Sequence, residues 1–238
     1  MHAYPLAMPH GELEEVFPDV FFVTGTSRPQ IGGVNWQYSR NMVVVRERDE
    51  LTLLNSVRLD EQGLARLEAL GRVSHVVKLG AFHGMDDRFY CQKYGAKQWA
   101  PSGMLHDDGH VVDEQLLPGG STPFAGLQLF SFATSKHPES ALLIESHGGI
   151  LVSCDSLQNW VETDAFFDQE TALRMKAVGF IAPANIGPGW RMACAPEASD
   201  FAAVRALTFR HLLPAHGRPI RDTAHFQLSA TFEREFGG

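Results

Sequence analysis

Cysteine is scarce in this 238-residue chain: Cys91, Cys154 and Cys194 are three, odd in number and far apart. That usage excludes a disulfide framework and points to a reducing compartment. Runs of lysine and arginine are missing too, and 28 acidic against 20 basic residues leave a net charge of −8. A phosphate backbone attracts a basic patch or stripe, so no nucleic-acid partner is expected. Nowhere do about 18 uncharged apolar residues run together, and no membrane span is expected. The start, MHAYPLAMPHGELEEVFPDV, lacks a basic stretch followed by an apolar one. The expected place is therefore the cytoplasm. The GPG at 187–189 has neither the glycine spacing nor the following lysine of a phosphate loop. With 44% hydrophobic and 20% charged residues the chain reads as globular, and its expected partner is a small-molecule substrate.

Short β-branched runs fill the first third: VFFVTG at 20–25, NMVVVR at 41–46 and LTLLNS at 51–56. Each predicts a strand. DEQGLARLEALG at 60–71 predicts a helix, with Asp60 as its N-cap and Gly71 at its end. VSHVVKLG at 73–80 is the strand that follows. The second half repeats this grammar, with strands at 127–133, 141–146, 150–156 and 211–217 and helices at 168–179, 199–211 and 222–236. Two Gly- and Pro-rich stretches, 105–124 and 182–198, read as loops, and long loops often border a site. Two strand-rich halves followed by helices suggest one domain over 1–238, built of two facing sheets with helices outside.

Residues 80–90 read GAFHGMDDRFY, a polar turn after a strand with a histidine, a methionine, an aspartate and an arginine in close order. His83, Asp87, His137, Asp155 and His216 each follow an apolar strand-like run or lie in a loop. If those strands share a polarity, their ends converge, and imidazole and carboxylate are donors that zinc, iron or manganese accepts. His106 and His110, in HDDGH, form a weaker rival cluster. His75, His147 and His225 read as structural.

The order and spacing of these residues resemble the metallo-β-lactamase superfamily over residues 18–225. That family carries an H-x-H-x-D-H turn, then a histidine in a GHTPGS-like turn, an aspartate after a strand and a final GHG-like histidine. HGMDDR matches the first at His83 and Asp87, KHPES the second at His137, SCDSLQN the third at Asp155, and PAHGRPI the fourth at His216. The resemblance implies a four-layer αββα sandwich. It assigns His83, His137 and Asp155 to one metal position and Asp87, Asp155 and His216 to the other.

Two departures cut into both sets. Met85 stands where the second histidine belongs, and a thioether is a poor zinc ligand. Arg88 stands where the third belongs, and a guanidinium has no lone pair to offer. One subclass of the family has a basic residue there and uses a downstream cysteine. Adjacent strand residues face opposite ways, however, so Cys154 and Asp155 are not expected to reach a metal together. The resemblance then implies one zinc, iron or manganese ion, or none. It implies a hydrolase of a small ester, thioester or amide-like substrate that activates water on the metal. Asp87 would orient or deprotonate that water, and His216 would complete the site or stabilise developing charge. The alternative is a non-catalytic binding or interaction module that has lost its metals.

Overall fold

Alternation along the strands dictates a layered core, because successive side chains leave opposite faces of a sheet. A computed structural model describes residues 4, 6–104 and 111–237. Its first half runs β1 (Glu14–Phe17), β2 (Val20–Ser27), a short ribbon of β3 (Gln30–Ile31) and β4 (Val34–Asn35), β5 (Tyr38–Glu47) and β6 (Glu50–Leu54). Then come α1 (Glu61–Leu70), β7 (Arg72–Val77), α2 (Asp87–Tyr94), β8 (Lys97–Pro101) and β9 (Glu114–Leu116). They form a seven-stranded sheet in the order β1-β2-β5-β6-β7-β8-β9. As expected, Asp60 caps α1, its carboxylate accepting from the Gly63 amide at 2.8 Å.

The second half gives β10 (Leu127–Ser131), β11 (Ser140–Ile144), β12 (Ile150–Ser153) and β13 (Leu157–Gln158). It continues with α3 (Gln169–Ala177), β14 (Asn185–Ile186), α4 (Pro188–Cys194), α5 (Ala198–Arg205), β15 (His211–Pro214) and α6 (Ala224–Phe236). Here the sheet order is β10-β11-β12-β15, with β15 parallel to β12.

Three apolar clusters separate the layers. Phe22, Val43, Val45 and Val77 of the first sheet meet Leu142, Ile144, Val152 and Leu213 of the second. Their neighbours Phe21, Val23, Met42 and Val44 point the other way and pack under Leu67 of α1 and Phe89 and Tyr90 of α2. On the far side Leu143, Leu151 and Leu212 lie against Trp190, Phe201, Leu228 and Phe232 of α4, α5 and α6. The result is the four-layer αββα sandwich. No helix among the described residues is long and apolar enough to cross a membrane.

At one edge the two sheets are joined by polar groups rather than apolar ones. Asn41 of β5 donates its side-chain amide to the carbonyls of Pro214 and Gly217, at 3.0 and 2.7 Å. Just beyond β6, Asn55 donates to the Ser153 carbonyl at 3.0 Å. Each tie ends at the carboxyl end of β12 or β15, the edge where ligands collect in open sheets.

Candidate metal centre

Three donors meet at that edge. Asp155 lies two residues past β12 and His216 two past β15, and the parallel register pairs Ser153 with Pro214 at the strand ends. His83 comes from the loop after β7, which is fastened to the stretch before β11. Gly80 bridges Glu139, and the Ser140 amide donates to the Leu79 carbonyl at 2.9 Å. His83 Nε2 lies 3.1 Å from His216 Nε2 and 3.3 Å from Asp155 Oδ2, and His216 Nε2 lies 3.1 Å from Asp155 Oδ1. Both histidines are buried.

The state of His216 follows from its other nitrogen. Nδ1 is 3.0 Å from the Ser39 carbonyl, which can only accept, so Nδ1 carries the proton of the neutral ring. Nε2 lies 3.1 Å from both His83 Nε2 and Asp155 Oδ1, within hydrogen-bond distance of each. The two imidazoles meet different oxygens of the Asp155 carboxylate, Oδ2 for His83 and Oδ1 for His216, so the carboxylate spans both rings. The ring is also held by packing, with Trp160 at 4.8 Å and Tyr38 at 5.7 Å between centroids. Gly217, directly after it, has φ +87°, and a Cβ there would lie 2.1 Å from the Asn159 backbone, so this turn requires glycine.

Electrostatics separate the carboxyl groups. Burial alone would raise Asp155, but the charge on His83 and hydrogen bonds from His216 and His83 outweigh it and hold the group well below the usual carboxylate range. Glu139 goes the other way, pushed well up by burial and then by the Asp155 charge. Its Oε1 accepts from the Ser156 amide at 2.7 Å, while Oε2 is buried with no hydrogen-bond partner. Burial and the Asp155 charge together push Tyr38 up to about 12.

The remaining sequence candidates have other surroundings. Asp87 starts α2, 1% exposed, with Oδ1 accepting from Ser56 Oγ at 2.6 Å and Oδ2 from Gln98 at 3.4 Å; burial raises its pKa. Its neighbour Asp86 pairs with buried Arg40 of β5. His137 is exposed, its ring packing edge-on against Phe82 at 5.7 Å. His106 and His110 lie outside the described residues. His75 accepts from the Trp99 indole, and His147 and His225 reach the carbonyls of Pro18 and Arg205.

One expectation is corrected. Strand β12 ends at Ser153, so alternation no longer separates Cys154 from Asp155. His83, Cys154 and Asp155 each offer a donor atom within 4.8 Å of the others, the metal-sized group found among the described residues. Burial, then the charges of Glu139 and Asp155, push the Cys154 thiol well above its ordinary range. Glu139, Ser39 and Asn41 carried no signal in the sequence: a strand-entry glutamate and polar residues inside a strand do not announce a site.

No family model matches the chain, and no curated protein does. Solved structures do match. The FIM-1 metallo-β-lactamase from Pseudomonas aeruginosa, in its mono-zinc form, is 14% identical with a TM-score of 0.63, over 98% of this chain and 98% of that one. The DIM-1 metallo-β-lactamase exposed to ceftazidime is 13% identical with a TM-score of 0.61, over 95% of this chain and 99% of that one. A metallo-β-lactamase from Hirschia baltica is 14% identical with a TM-score of 0.60, over 93% and 97%. The chain has the metallo-β-lactamase fold.

Proposed function

We propose that this protein is a metal-dependent hydrolase of a small ester, thioester or amide-like molecule, working with one zinc, iron or manganese ion. The observation that carries the reading is the meeting of two buried imidazoles, His83 and His216, with the Asp155 carboxylate at 3.1–3.3 Å. A divalent cation there would acidify water and polarise a carbonyl. The chain's own groups do the rest. Ser39 fixes the tautomer of His216, Trp160 and Tyr38 hold its ring, and Asp155 stays ionised between two imidazoles. Exposed Phe82, Met85 and Val161, each adjoining the site in sequence, offer apolar surface to the acyl or alkyl part of a substrate. We assign Asp87 to supporting the loop, since its oxygens are taken by Ser56 and Gln98.

A neighbour of this fold in a mono-zinc form supports a single ion. The free cysteines Cys91, Cys154 and Cys194 support the cytoplasm as its place. The second reading, a non-catalytic binding module, draws on Met85, which is 49% exposed and offers no imidazole where the family has one.

Protein purified without chelator or affinity tag should hold one equivalent of metal and hydrolyse chromogenic esters or thioesters in proportion to its metal content. Two equivalents surviving dialysis would contradict the single ion. Bound metal with no turnover across ester, thioester and amide panels would favour the binding module.

A further inference from the structure

We propose that a cavity at the end of the sandwich opposite the metal edge is a binding site for a small organic cation, an ammonium compound that also carries a hydroxyl. The site is separate from the metal centre and needs no ion there.

The cavity measures about 500 Å³, within the range of small-molecule sites, and lies where the β5–β6 turn faces the segment before β10. Strand alternation explains why its lining is polar. Val45, Leu54 and Val77 turn into the apolar layer between the sheets, and Glu47, Thr52 and His75, each two residues from one of them, share that face. Thr52 and His75 are cross-strand partners, so the apolar layer gives way here to a polar row. Phe124, packed on the same layer, forms the other wall.

Three features define the ligand. The first is an open hydroxyl: Thr52 is 3% exposed and lines the cavity, and no described residue hydrogen-bonds its side chain. A buried hydroxyl without a partner is costly, and a molecule in the cavity can supply one. The second is a donor of fixed sense. His75 Nδ1 accepts from the Trp99 indole at 3.0 Å and burial lowers the pKa of the ring, so the neutral form carries its hydrogen on Nε2. That N–H calls for an oxygen, which a hydroxyl provides. The third is charge. Glu47, Asp49 and Glu50 line the cavity against one guanidinium, Arg48, while Arg72 pairs with Glu50 from outside the lining. Carboxylates thus stay in excess and attract an ammonium, and the Phe124 ring offers a face to the cation or to the apolar body that carries it.

The test uses the full chain and phenylethanolamine as probe, with phenylethanol and mandelate as its neutral and anionic counterparts. Calorimetry should show saturable one-to-one binding of the amine that weakens as salt is raised, and no such binding of the other two. Backbone amide NMR signals of wild type should shift at Thr52, His75 and Phe124 and stay put at His83 and His216, a readout that needs no variant. Thr52→Val keeps the shape and removes the open hydroxyl, so it should melt no lower than wild type yet bind the amine at least about tenfold more weakly. Glu47→Gln combined with Glu50→Gln should weaken binding by a similar factor, and Asp155→Asn should leave it unchanged. Equal binding of all three probes, shifts gathered at the metal edge, or no saturable uptake of the amine would each overturn the proposal.

Discussion

Asp155→Asn is the sharpest perturbation of the centre, because it alters hydrogen bonding and charge at almost constant shape. In the metal-free wild type, Asp155 Oδ1 lies 3.1 Å from His216 Nε2 and Oδ2 lies 3.3 Å from His83 Nε2, and these two imidazoles hold the carboxyl in its ionised form. Asparagine keeps the shape and removes the charge. A hydrogen bond to a charged group is worth about 1.5–3 kcal/mol. For a chain of this size each kcal/mol moves Tm by about 2–4 °C, so the variant should melt about 3–12 °C below wild type. The condition is chelator at mildly acid pH, where imidazoles are generally protonated. With zinc at a hundredfold excess over Kd, wild type should gain about 2.7 kcal/mol. That corresponds to about 5–11 °C, and the variant should gain almost nothing. Calorimetric melts of both proteins, in chelator and in zinc, give all four numbers. A variant melting above wild type in chelator would show that the two histidines do not stabilise the carboxylate. A zinc shift retained in the variant would show that the carboxylate is not a ligand.

Other perturbations probe the frame around the centre. Asp86→Ala leaves the buried guanidinium of Arg40 without its carboxylate, which costs about 3–5 kcal/mol, and denaturant unfolding should show the loss without added metal mattering. A loss under about 1 kcal/mol would mean that water reaches Arg40. Gly80→Ala drives a methyl toward Glu139 Oε2 and Cys154 Sγ, so stability should fall by about 1–3 kcal/mol and zinc affinity with it; unchanged zinc affinity would separate that corner from the centre. Acid unfolding carries a sign as well. The Asp155 carboxyl is held below its unfolded value of about 3.9, so its stabilisation is complete above that pH and is lost as pH falls through the folded pKa. Metal-free wild type should therefore lose stability below about pH 4 more steeply than Asp155→Asn, and parallel curves would contradict this.

Much of the sandwich is legible in the chain because its strands carry their own period. At 41–46 alternate residues enter different cores, Val43 and Val45 between the sheets and Met42 and Val44 under α1 and α2. Helix α1 announces itself through Asp60, whereas α2 begins inside the polar turn with no side-chain cap, so DDRFY reads as part of the loop. Helix α4 hides in a Gly- and Pro-rich stretch that reads as loop, although Pro188 occupies its first turn after Gly187, a position that suits proline. Strand ends point to His83, Asp155 and His216. They say nothing of Glu139 or Ser39, whose roles exist only once β11 and β5 are brought to the same edge. Cys154 is misread for a local reason: the apolar run suggests a strand to 156, and the pairing with β15 stops at Ser153.

The geometry also separates the residues that join the two sheets from those that do not. His83 and His216 are buried, His216 tied to Ser39 and packed by Trp160, so replacing either disturbs the seam between the sheets. Met85, in the His83 loop, is 49% exposed, and Arg88, in the first turn of α2, is half-buried. Substitutions at exposed positions usually change stability by no more than about 0.5 kcal/mol. The fold thus constrains Met85 little. The residues it does constrain are those that converge: Asp155 and His216 just past β12 and β15, and His83 in the loop after β7. The fold therefore brings His83, Asp155 and His216 to one edge through its own strands and loops, while Met85 lies outside that constraint.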